Sequence, residues 1–112
     1  MELTIARERQ GDWTVLVVRG ELDLYSQPLL REEVHGIDDG APPKVALDLS
    51  GVGFVDSSGL GAIVGSLQHV RAQGGDLTLI APAGAPLTRM LALTGLDGLL
   101  RPLPDRAGLG AA

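Results

Sequence analysis

The sequence contains no cysteine, which removes disulfide frameworks, thiolate metal sites and thiol redox chemistry at a stroke. Aromatic residues are almost as scarce: Trp13, Tyr25 and Phe54 are the only three in 112 residues. Sequence-independent binding of single-stranded nucleic acid relies on aromatic stacking and a basic groove. This chain carries 9 Lys and Arg against 14 Asp and Glu, a net charge of −5, so it offers neither, and no nucleic-acid partner is expected. No apolar run approaches the ~20 residues of a membrane-spanning helix. The opening "MELTIARERQ" alternates apolar and charged residues without the apolar stretch of a signal peptide. A soluble, cytoplasmic domain without membrane association is expected.

What is present is a 45% hydrophobic composition dominated by Leu, Val, Ile and Ala, in a length suited to one core. Leu3 and Ile5 alternate with polar residues, "RQGD" supplies a turn, and the β-branched run from Trp13 to Val18 completes a predicted hairpin. Residues 25–37 read as a short helix, with Ser26 as N-cap, Pro28 in the first turn and Leu30, Val34 and Ile37 on one face. "APPKVALDLS" restarts the chain as a strand through Val45, Leu47 and Leu49. From Ser58 to Gln73, Leu60, Ile63, Val64, Leu67 and Val70 follow helical spacing, with Gly74 and Gly75 as the stop. "DLTLIAP" predicts another strand, and "PLTRMLALTG" a third helix ending at Gly95. "LLRPLP" predicts a last short strand, and residues 105–112 a frayed, flexible tail after a domain spanning 1–104.

This order predicts a single α/β domain: a mixed sheet of four to five strands with an N-terminal hairpin and about three helices. Strand–helix–strand crossovers make the linked strands parallel. The segments after Arg19, Ser50 and Ile80 therefore emerge at one end of the sheet, where open α/β sheets usually carry their sites.

At that end lies "GFVDSSGLGAIVG", residues 53–65, whose adjacent serines admit several readings. Neither Ser57 nor Ser58 fits a G-x-S-x-G nucleophile elbow. His69 lies about three turns further along the same helix, too far for a base. His35 would have to come from another helix, and both histidines read as surface residues. The glycines lack the G-K-[ST] of a phosphate loop, which leaves weak nucleotide binding open but unsupported. A helix cap made by Ser57 or Ser58 is the simplest role. Opposite the apolar stripe lie Gly61, Gly65, Gln68 and Ala72, a bare face suited either to a partner or to a neighbouring helix of the domain.

"FVDSSGLGAIVG" also resembles the phosphorylation motif of STAS-domain anti-sigma factor antagonists. "VVRGELD", "SQPLLREEV", "VALDLSGVGFVDSSGLG", "GGDLTLIAP" and "MLALTGLDGLL" are similar to family segments in the same order, over nearly the whole chain. The resemblance implies a regulator that is a substrate rather than an enzyme, without cofactor or metal. It implies phosphorylation of Ser57, with Ser58 as runner-up, by an anti-sigma factor that is itself a serine kinase, and resetting by a serine phosphatase. It puts Asp23 near the acceptor and draws Glu21, Asp23, Asp56, Ser58, Gly59, Gly61 and Gly65 into the partner surface of a monomer or weak dimer. The alternative is a non-switching STAS scaffold or an accessory subunit of a transport complex. The family's closing helix has no counterpart in "PDRAGLGAA", the point of departure.

Overall fold

A computed structural model describes residues 2–38 and 42–110. Strand β1 (Thr4–Gln10) turns at Gly11 into antiparallel β2 (Trp13–Leu22). Helix α1 (Gln27–His35) follows, then β3 (Lys44–Val55), helix α2 (Ser57–Ala72), β4 (Asp76–Ile80) and helix α3 (Pro86–Thr94). The sheet order is β1-β2-β3-β4, with β3 parallel to both β2 and β4. This is the mixed α/β sheet that the alternation of elements predicts.

Apolar side chains alternate along the strands and separate into two clusters. Leu16, Val18, Leu47, Leu49 and Leu79 pack with Leu30 and Val34 of α1, Ile63 and Leu67 of α2, and Leu87 and Leu91 of α3. The intervening residues Val15, Ala46 and Ile80 point to the other face, where Trp13, Val17, Leu103 and Leu109 cover them. All three α-helices thus share one side of the sheet.

Several boundaries differ from the sequence reading. Helix α1 is shorter than 25–37, and Ser26 sits before it without capping it. Its hydroxyl instead donates to the Glu21 carbonyl at 2.7 Å. The predicted last strand is reduced to one parallel bridge between Ile80 and Leu103, because before it the Leu99 and Leu100 N–H groups turn back to the Leu96 carbonyl and do not join β4.

The tail is also not frayed over its described part. Residues 106–109 form a 3-10 turn capped by Asp105, and Arg106 reaches across the outer sheet face to Glu8 at 2.8 Å and Asp48 at 3.3 Å. Glu8, first among these contacts, holds the guanidinium still more firmly in its charged form. Gln10 donates to the Arg106 carbonyl at 3.1 Å. Residues 111 and 112 of the predicted tail lie outside the described residues.

Candidate functional site

The parallel crossover brings the end of β2 beside the end of β3, and the two chain segments leaving them are joined by one carboxylate. Asp56, the last residue before α2, is extended (φ −102°, ψ −176°), and its Oδ1 accepts from the Gly59 N–H at 2.8 Å. Its Oδ2 accepts from the Leu24 N–H at 3.2 Å. Asp56 is therefore the cap, and the expectation that Ser57 or Ser58 caps the helix is corrected. An aspartate satisfies the orphan N–H groups as well as serine does and adds a charge that the helix N-terminus favours.

The consequence is that both serines are released from structural duty. Ser57 occupies the first helical position with its side chain exposed, and Ser58 the second, half-buried. Among the described residues, neither hydroxyl has a hydrogen-bond partner.

The loop facing them is held by its own polar atoms. Asp23 Oδ1 accepts from the N–H groups of Tyr25 (3.0 Å) and Ser26 (2.9 Å), and Ser26 Oγ accepts from the Asp23 N–H at 3.0 Å. The Ser26 backbone N–H is the main cause of an Asp23 carboxyl held below the ordinary aspartate value, helped by the Tyr25 N–H. A carboxyl lowered in this way contributes stability above its ordinary pKa and loses it as pH falls through the lowered one. The loop is accordingly secure throughout the neutral range.

This fixed loop displays apolar side chains to solvent. Leu24 is 58% and Tyr25 89% exposed, and Phe54, paired in register with Glu21, is 49% exposed. Tyr25 and Leu29 also line a cavity of about 480 Å³ with Leu3, Asp23 and Ser26. Sequence reasoning named Asp23 but missed Leu24, Tyr25, Leu29 and Phe54 as part of this surface. The available signal was an apolar pair, "LY", inside a turn already rich in polar turn formers.

The glycines of α2 divide by environment. Gly59 is buried, and a Cβ there would collide with the Leu22 carbonyl oxygen, so its bareness serves close packing of α2 on β2 rather than an open surface. Gly61 is exposed with nothing near the place of a Cβ. Gly65 is half-buried beneath Arg31 of α1, whose Nη1 would lie 2.5 Å from that Cβ. The bare face is thus open at Gly61 and internal at Gly65. Glu21 lies at the end of β2, half-buried, its carbonyl engaged by Ser26.

The histidines meet each other, not the serines. His35 and His69 stack across α1 and α2 with centroids 3.7 Å apart, and His35 Nδ1 bonds the Arg31 carbonyl at 2.6 Å. The surface reading holds for His35 but is corrected for His69, which is half-buried with its Nε2 enclosed. The site therefore presents a hydroxyl without an adjacent base, framed by carboxylates and apolar side chains. That arrangement suits a group acted upon by another protein.

Removing the Asp56 carboxylate should test how the site is held together. Asp56→Ala is expected to cost about 1–2 kcal/mol by loss of the cap, and Asp56→Asn to restore most of it. Chemical unfolding of the three proteins measures this. An Ala variant as stable as the parent would show that the cap is not what secures α2.

Comparison with known proteins places these features in context. The family described as "Mlab, STAS domain" matches residues 5–102. An anti-sigma-B factor antagonist of Bacillus subtilis is 37% identical over 84 residues, covering 74% of each chain. One from Listeria monocytogenes is 32% identical over 96 residues, covering 84% of this chain and 82% of its own. Among solved structures, an anti-sigma factor antagonist from Mycobacterium paratuberculosis superposes with a TM-score of 0.81 at 27% identity, covering 96% of this chain and 90% of that one. With one family spanning nearly the whole sheet-and-helix unit and relatives of matching length on both sides, the chain belongs to the STAS-domain family of anti-sigma factor antagonists.

Proposed function

We propose that this protein is an anti-sigma factor antagonist whose unphosphorylated form binds an anti-sigma factor through the surface around Ser57, and whose phosphorylation at Ser57 ends that binding. The observation that carries the proposal is the exposed Ser57 hydroxyl at the start of a helix already capped by Asp56. It can be modified without removing a fold-holding contact. The names of the relatives supply the class of partner.

The switch is electrostatic. A phosphoserine adds about −1.5 to −2 charges at neutral pH. The positive end of α2 accommodates that charge, so the fold persists. The Asp56 and Asp23 carboxylates beside it make the surface still more negative, and a partner pocket shaped for a neutral hydroxyl must then desolvate a dianion with nothing to match it. In this reading the partner is a serine kinase as well as a ligand, a phosphatase resets the hydroxyl, and the protein itself performs no catalysis. Leu24, Tyr25 and Phe54 supply the apolar contact area, and Gly61 lets the partner approach α2.

The decisive experiment is phosphate transfer. Incubation with Mg-ATP and a candidate anti-sigma factor kinase that binds this protein should place one phosphate on Ser57, located by phosphopeptide mapping. Ser57→Ala should fold, bind and remain unlabelled. A label on Ser58 overturns the residue assignment. A partner that binds firmly and transfers nothing supports the non-switching scaffold instead.

A further inference from the structure

Strand β4 forms an edge of the sheet, and that edge is closed at one end only. The Leu103 N–H donates to the Leu79 carbonyl at 2.8 Å, and the Leu103 carbonyl accepts from the Ala81 N–H at 2.9 Å. The N–H and C=O of one strand residue leave on the same side, so the Leu79 N–H and the Leu77 carbonyl face this same edge. Among the described residues neither is bonded there, while the Leu77 N–H is taken by Asp76 Oδ1 at 2.9 Å.

Before Leu103 the chain diverges from β4 and leaves a notch of about 250 Å³, lined by Leu67, Arg71, Asp76, Leu79, Leu99 and Arg101 among others. Arg71 comes from the last turn of α2 and Arg101 from the diverging segment. Neither guanidinium forms an ion pair among the described residues, although acidic residues outnumber basic ones in the chain. The notch therefore combines an unused backbone donor and acceptor, apolar walls and two guanidinium groups without an ion pair against one carboxylate, Asp76, whose Oδ1 is already engaged by the Leu77 N–H.

We propose that this notch is a second binding site, distinct from the Ser57 surface, which takes an extended acidic peptide segment of a partner protein as an added strand. The peptide backbone enters the notch and pairs with the Leu77 carbonyl and the Leu79 N–H, whose residues are 5% and 2% exposed, by strand addition. Carboxylate side chains pair with Arg71 and Arg101, whose planar guanidinium groups match them. Position favours independence from the first site. Arg71 lies fourteen residues along α2 from Ser57, roughly 21 Å at 1.5 Å per residue, so both surfaces can be occupied together.

The test is a titration of ¹⁵N-labelled protein with the peptide acetyl-Glu-Val-Glu-Val-Glu-amide, the same peptide with Lys for Glu, and glutarate. The acidic peptide should shift the amides of residues 77–79 and 98–101 and slow hydrogen exchange at Leu79. The double variant Arg71→Glu with Arg101→Glu should weaken it by about tenfold or more, with an unchanged unfolding midpoint and unchanged binding of the anti-sigma factor at the Ser57 surface. Three results overturn the proposal. A Leu79 amide already protected in the free protein would mean that residues 99–102 close the edge themselves. Equal binding of the Lys peptide would remove the role of the arginines. Identical shifts with glutarate would reduce the notch to a site for small anions. Loss of anti-sigma factor binding through Ser57 would leave this test unaffected, so the two readings fail separately.

Discussion

Phosphorylation of Ser57 is expected to weaken binding of the anti-sigma factor by about 100-fold or more, equivalent to roughly 2.7 kcal/mol. Stability should move by no more than about 0.5 kcal/mol, as for a surface change. The two numbers separate because the hydroxyl makes no internal hydrogen bond and Asp56 holds the helix start alone. In the proposed docking the side chain at the first helical position would be buried, and a dianion there would forfeit its hydration without gaining a partner. Ser57→Asp carries one charge in place of nearly two and should fall between, at about tenfold. Calorimetric titration and thermal unfolding on the same samples measure both. Equal affinity for the phosphorylated and free forms would leave Ser57 as a bystander and favour the scaffold.

Substituting alanine at two neighbouring glycines of α2 should give effects of opposite sign. Gly59→Ala puts a methyl group into the Leu22 carbonyl oxygen, with the Leu22 Cγ only 2.8 Å away. Backbone cannot yield as a flexible side chain does, so α2 must shift off β2 at about 1–3 kcal/mol, more than the gain in helix propensity. The displacement would also strain the Asp56 contacts to Gly59 and Leu24. Gly61→Ala meets nothing and should stabilise the domain by about 0.5–1 kcal/mol. Gly61→Trp should remain folded yet fail to bind the anti-sigma factor. Equilibrium unfolding and partner affinity on these variants decide the matter. A destabilised Gly61→Trp would withdraw that face of α2 from the interface.

Those glycines also mark where sequence reading stops. Helical spacing of Leu60, Ile63, Leu67 and Val70 gives the core face of α2, and crossover geometry gives the shared end of the parallel strands. Both follow from local periodicity and chain connectivity. Whether Gly59, Gly61 or Gly65 faces solvent depends on what packs nearby, namely Leu22 from β2 and Arg31 from α1. Asp56, Ser57 and Ser58 are all competent caps, and one residue of register decides which hydroxyls are left free. The docked tail was harder still. Its anchors are one guanidinium and two leucines, too few for any periodic signal, and Arg106 meets Glu8 across 98 residues of sequence.

The two-faced sheet has a spectroscopic consequence. The sole tryptophan, Trp13, belongs to the cluster on the outer face, where the Lys44 ammonium lies 4.7 Å from its ring centroid. The sole tyrosine, Tyr25, stands almost wholly exposed in the loop beside Ser57. Tryptophan emission therefore follows unfolding or lifting of the tail and stays silent when a ligand covers the serine surface, whereas the phenol ring is the native chromophore that such a ligand would screen from aqueous quenchers.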